Sequence, residues 1–158
     1  MDHRDELLKN SWEGEVVGQS FFRALVEEMP SERPMWETLA ELEGAMGGLV
    51  ESVAVRHGLE IDRGALESTG ISFAKSAPAG DRDALFKELL AVVAEFLKTY
   101  EELAGLLAGD EAWLGRELIA HEQALAFYVE QALAGEQGGD IKVLEFLGRH
   151  GSEIPAEA

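Results

Sequence analysis

The sequence predicts an all-α protein: a four-helix bundle with one long crossover plus short extra helices. It spans residues 1–150 as a single domain, with a C-terminal tail at 151–158. Three observations predict it. Apolar residues recur at helical spacing along nearly the whole chain, and strand-like alternation is found nowhere. Four of the helical stretches run to roughly 24 residues and fall into two tightly connected pairs, so the partners within a pair should be antiparallel neighbours. The segment joining the pairs, residues 58–80, is long enough to travel back along a helix of roughly 36 Å.

The first long helix is expected from Asp5 to Met29, with Leu8, Trp12, Phe22, Leu25 and Val26 on its apolar face. Glu15 projects from the centre of that face, flanked by Gly14 and Gly18, each of which costs helix propensity up to about 1 kcal/mol. Small residues there would let a neighbour come close. Pro30 and Ser31 break the helix, and Ser31 is the expected cap of the next. The second helix, Glu32 to His57, presents Leu39, Met46, Val50 and Val53, with Glu43 at the margin of that face. Gly58 is its stop signal.

A shorter helix is expected over Asp62 to Ala77, with Leu66 and Phe73 on its inner side, before the loop signal SAPAGD. Asp81 is placed to cap the third long helix, whose broad apolar face runs from Leu85 through Phe86, Leu89, Val93 and Phe96 to Tyr100 and Leu103. Glu88, Glu95 and Glu102 repeat on the opposite side and read as a solvated face. Gly109 and Asp110 separate it from the fourth helix, Asp110 to Leu133. There Leu114, Leu118, His121, Leu125, Tyr128 and Ala132 form one stripe with the imidazole near its middle. A joint at residues 135–140 precedes a short terminal helix, Ile141 to Arg149.

Composition excludes several function classes. The 31 acidic and 13 basic residues give a formal charge of -18, a field that repels phosphate backbones and anionic lipid. Nucleic acid and membrane surfaces are therefore not expected partners. With no cysteine there is no disulfide framework and no thiolate chemistry. The start MDHRDELLKN lacks an apolar signal core, and the longest strongly apolar run, Leu89 to Ala94, is too short to span a bilayer. A soluble, cytoplasmic protein is the expectation. P-loop, GxGxxG, HExxH and GxSxG patterns are all missing.

Counting residues from the turns predicts where the polar exceptions meet. Glu15 precedes the first turn by about sixteen residues and Glu43 follows it by about twelve, so their heights differ by roughly 6 Å. His121 lies about twelve residues beyond the Gly109 turn, again near mid-helix. Glu15, Glu43 and His121 are therefore expected at the bundle centre, with Glu117, one turn before His121, as the fourth candidate. Burial of any of them requires a partner.

On this architecture and these residues the chain resembles the ferritin-like superfamily over roughly residues 5–133. Members with a di-iron or di-manganese site carry a Glu on each of two helices and Glu-x-x-His on each of the other two. Glu15 and Glu43 match the first- and second-helix carboxylates. Met46 stands where the family has His, and Glu95 matches by depth but not by face. On the fourth helix Glu117 is followed three later by Ala120, with His121 one residue late. The resemblance implies an Fe or Mn site held by Glu15, Glu43, Glu117 and His121, serving redox, oxygen chemistry or metal handling. The alternative is a metal-free bundle with a buried Glu15–His121 pair, working as an interaction or oligomerisation module. A homo-oligomer, most simply a homodimer, is expected in either case, because Phe21, Phe127 and Leu133 lie off the main stripes.

Overall fold

A computed structural model describes residues 1–78 and 80–150, and the tail expected at 151–158 lies outside them. The described chain is helical throughout and contains no strand. Its α-helices are α1 (His3–Glu28), α2 (Arg33–Ala54), α3 (Arg63–Ser76), α4 (Arg82–Leu106), α5 (Ala112–Leu133) and α6 (Ile141–His150). No helix among the described residues is long and apolar enough to cross a membrane.

Aspartates cap three helices; of the two caps the sequence suggests, Asp81 is used and Ser31 is not. Asp2, Asp62 and Asp81 accept backbone N–H groups of Asp5, Ala65 and Ala84, which satisfies amides that have no intrahelical acceptor. Ser31, expected to cap α2, does not. Residues 30–32 form a single 3-10 turn instead, and α2 begins at Arg33 with Pro34 in its first turn. Gly58 ends the second long element at φ 74, a left-handed conformation that glycine adopts without a Cβ clash.

Polar contacts at the helix ends fix the directions. Arg4 and Asp5 at the start of α1 hold His57 just beyond α2, and the same imidazole meets Glu111 just before α5. At the other end Arg82 donates to the Ala132 carbonyl at 2.7 Å and pairs with Glu32. The start of α1 therefore lies beside the end of α2, and the start of α4 beside the end of α5. Both hairpins are antiparallel. His3 on Glu102 and Tyr100 on Glu15 likewise set the end of α4 against the start of α1. Leu8, Leu25, Leu39, Val50, Leu103, Leu118 and Val129 are among the buried core residues these helices share. Trp36 anchors one end, stacked on Phe22 and edge-on to Phe86, with its N–H donated to the Met29 carbonyl at 3.0 Å.

The connecting helix α3 lies along α1, but not on the face the sequence suggests. Leu66 is half-buried and Phe73 is 55% exposed, whereas Gly70 and Ala74 form the contact. Proximity is the reason. A Cβ at Gly70 would stand 2.5 Å from the Val17 carbonyl oxygen and 2.8 Å from the Ser20 Cβ, so only the smallest residue fits. Ser20 ties the two helices further by donating to the Glu67 carbonyl at 2.6 Å. α6 packs on α5 and α2, and Phe146 reaches the His121 ring. The apolar residues off the main stripes are partly buried within the chain: Phe21 lies edge-on to Phe22, Lys142 sits 4.3 Å over the Phe127 ring, and Leu133 packs on the core.

Candidate metal centre

Three of the four sequence candidates converge. Glu15 from α1, Glu43 from α2 and His121 from α5 are 1%, 7% and 0% exposed, and one donor atom of each lies within 4.8 Å of the others. The counting of turns accounts for this, since all three stand near mid-helix. Gly18 accounts for how Glu43 enters. A Cβ there would lie 2.2 Å from Glu43 Oε1 and 3.1 Å from its Cδ, so the carboxyl group occupies space that any other residue would fill.

The fourth candidate goes elsewhere. Glu117 is half-buried and accepts from Arg149 at 3.0 Å and from His150. Its offset from the His121 stripe turns it toward α6, whose last two side chains capture it. These contacts hold its carboxyl below the usual range even though burial works the other way. Glu95 is also outside the group, exposed and paired with Lys98.

Two residues that the sequence reasoning did not single out complete the surroundings. Tyr100 of α4 is 1% exposed and donates its hydroxyl to Glu15 Oε2 at 2.6 Å. Glu122, 4% exposed, brings Oε1 to 3.4 Å from His121 Nε2. A signal for Glu122 existed. Gly115, Leu118, Glu122, Leu125 and Val129 follow spacings of 3, 4, 3 and 4, and all five are buried. They form a second stripe, displaced from the one centred on His121, because α5 is covered by α4, α2 and α6 together. Tyr100 had no comparable signal, since a tyrosine on an apolar face reads as core.

The hydrogen bonds define what each atom can still do. His121 Nδ1 meets the Leu118 carbonyl at 2.6 Å, and a carbonyl only accepts, so Nδ1 carries the proton. Nε2 then faces Glu15 Oε1 at 3.1 Å, Glu43 Oε2 at 3.3 Å and Glu122 Oε1 at 3.4 Å. None of these contacts has hydrogen-bond geometry: Nε2, Glu15 Oε1 and Glu43 Oε2 are buried without a partner among the described residues. Unpaired buried polar atoms are rare, and three aimed at one point call for a ligand.

The donor set fits a cation. Atoms bound to one ion at about 2.1 Å stand about 3.0 Å apart at right angles and about 3.4 Å apart in a tetrahedron, which brackets the 3.1 and 3.3 Å separations of His121 Nε2 from Glu15 and Glu43. An imidazole whose second nitrogen donates to a backbone carbonyl is the usual way a protein orients a metal-binding histidine. Tyr100 fixes the other oxygen of Glu15 in the same sense.

Charge is unevenly shared across the cluster. Burial resists ionisation of Glu15, but the charge of His121 beside it, with help from the Tyr100 hydroxyl, holds this carboxyl below its ordinary value. Glu43 is pushed well above it by burial and by the neighbouring charge of Glu15. Burial pushes Glu122 up to about 8. His121, despite burial, is raised well above an ordinary imidazole by Glu15, Glu43 and Glu122. Without an ion the group therefore holds more protons than four isolated side chains would at neutral pH. A cation would release them.

No protein-family model, curated protein or solved structure matches the chain.

Proposed function

We propose that this protein is a ferritin-like four-helix bundle with one long crossover that binds Fe or Mn through Glu15, Glu43 and His121, and that it serves redox or oxygen chemistry or the handling of the metal itself. One observation carries the reading: three partnerless buried donor atoms from three helices face a common point. Leaving such atoms unsatisfied costs about 1–3 kcal/mol each, and one cation satisfies all of them. Two carboxylates and an imidazole suit Fe or Mn better than soft, thiolate-seeking metals. An ion held there supplies a redox-active Lewis acid. The chain's own part is orientation: Leu118 aims the imidazole, Tyr100 aims Glu15, and Gly18 admits Glu43.

The topology supports the same reading. Two antiparallel hairpins, α1–α2 and α4–α5, are joined by a long connection whose helix lies along α1, which is the connectivity of ferritin-like folds. Tyr100 stands on α4, where dinuclear members carry a carboxylate and where Glu95 faces away from the group, so one ion rather than two is proposed. The 3.1 Å approach of His121 Nε2 to Glu15 Oε1 favours a second reading, a metal-free ion pair inside an interaction module.

Metal content and melting distinguish them. Protein purified without chelators should contain Fe or Mn, and Mn(II), or Fe(II) under anaerobic conditions, should raise the melting temperature. At a hundred times Kd the gain is about 2.7 kcal/mol, or about 5–11 °C for a chain of this size. His121→Ala should abolish it. Protein that contains no metal and shows no shift with either ion would establish the metal-free pair instead.

A further inference from the structure

A cavity of about 520 Å³ opens between α1, α3 and α4 and reaches the buried cluster. Its walls are apolar: Val17 and Phe21 from α1, Phe73 from α3, and Leu89, Val92 and Phe96 from α4. At the mouth Phe73 and Val92 are 55% and 51% exposed, an apolar rim on a strongly acidic protein. The floor differs in kind. Glu43 of α2 and Glu122 of α5 line it, both more than nine-tenths buried, and Glu43 Oε2 has no hydrogen-bond partner among the described residues. Glu43 turns Oε2 toward His121 and lays Oε1 against Gly18, itself part of the cavity wall.

Buried carboxyl oxygens need donors. The cavity wall supplies none strong enough: its charged residues are Glu13, Glu43, Glu88 and Glu122, with no lysine or arginine among them. A ligand's polar end must therefore bring N–H or O–H groups, and the wall's four carboxyl groups, in a protein of net charge -18, favour a cationic or neutral head over an anionic one. The remainder of the ligand must be apolar to match the walls. At about 30 Å³ per heavy atom the space takes on the order of fifteen such atoms.

We propose that this cavity is a binding site for a compact hydrophobic molecule with an amine or alcohol head, seated with its head on Glu43 and Glu122 and its apolar body between Val17, Phe73 and Val92. The site goes beyond the metal reading and does not depend on it, because the walls and the floor carboxyls are present whether or not an ion binds.

The test uses chelator-treated full-length protein, so that loss of metal binding cannot be mistaken for loss of this site. Decylamine, decanol and decanoate share one chain and differ in the head. Amide NMR titration should show saturable binding of the amine and the alcohol, with shifts clustered at Val17, Phe73 and Val92, and decanoate at least tenfold weaker than decylamine. Val17→Trp, which fills the cavity, should weaken decylamine at least tenfold. Glu122→Gln, which keeps the shape of the floor, should weaken it at least threefold. Decanoate binding within tenfold of decylamine, no saturable binding of the amine, or unchanged decylamine affinity in both variants would overturn the proposal.

Discussion

Adding one methyl group at Gly18 tests whether the space beside α1 exists for Glu43. Gly18 lies inside α1, and an interior helical glycine is about 0.8–1.0 kcal/mol less favourable than alanine. Helix propensity alone therefore makes Gly18→Ala stabilising. Gly48 is the control. It lies inside α2, and a Cβ there would meet nothing within 4 Å. Gly48→Ala should realise the full gain, raising the melting temperature by about 2–4 °C. At Gly18 the same methyl stands 2.2 Å from Glu43 Oε1 and 3.1 Å from Cδ, so a buried carboxyl must withdraw. Overpacking of this kind costs about 1–3 kcal/mol, which cancels or outweighs the propensity gain. Gly18→Ala should thus melt about 2–12 °C below Gly48→Ala. Calorimetry on both variants gives the comparison, and titration with Mn(II) should show affinity falling at least about tenfold in Gly18→Ala alone, as expected when a group at a metal site is displaced. Equal stabilisation by the two substitutions would refute the account of Gly18, and unchanged Mn(II) affinity would remove Glu43 from the proposed ligands.

Three further outcomes can be checked by denaturant unfolding. His121→Ala leaves Glu15 buried without its charge partner and should cost about 3–5 kcal/mol, part of which Glu15→Gln added to His121→Ala should recover; a double variant less stable than the single would contradict the pairing. Tyr100→Phe removes the 2.6 Å hydroxyl donor from Glu15 Oε2 and should cost about 1.5–3 kcal/mol, with no loss pointing to a hydroxyl that is dispensable. The metal-free protein should be less stable at pH 8.5 than at pH 5.5, by a few kcal/mol. Glu122, with its folded value raised to about 8, and Glu43, raised well above an ordinary carboxyl, each contribute stability at low pH that is lost as pH rises through the folded value. His121, also raised, acts in the same direction, whereas Glu15, lowered, loses its contribution only as pH falls below the ordinary carboxylate range. Glu122→Gln should flatten the dependence, and a wild type more stable at pH 8.5 would contradict the charge assignment.

The helices and the depth of their polar residues were legible in the one-dimensional pattern of residues. Periodicity located α1, α2, α4 and α5 to within a few residues, because a helix that buries one face must repeat its apolar residues at the helical pitch. Height along a helix is equally a property of the sequence, at 1.5 Å per residue, so Glu15, Glu43 and His121 were identifiable as one layer. Azimuth is not. Which side of a helix is covered depends on how many neighbours it has, and α5 has three. Glu122, on a second buried stripe, therefore joined the cluster, and Glu117, one turn from His121, was captured by Arg149 and His150. Close approach is also decided in three dimensions. Gly18 and Gly70 cost the same propensity in their helices, yet one admits a carboxylate and the other a backbone. The cavity belongs to this second kind. Phe73 reads from the sequence as a core residue of α3, and it stands at an open rim because Gly70 draws α3 against α1 along a different line.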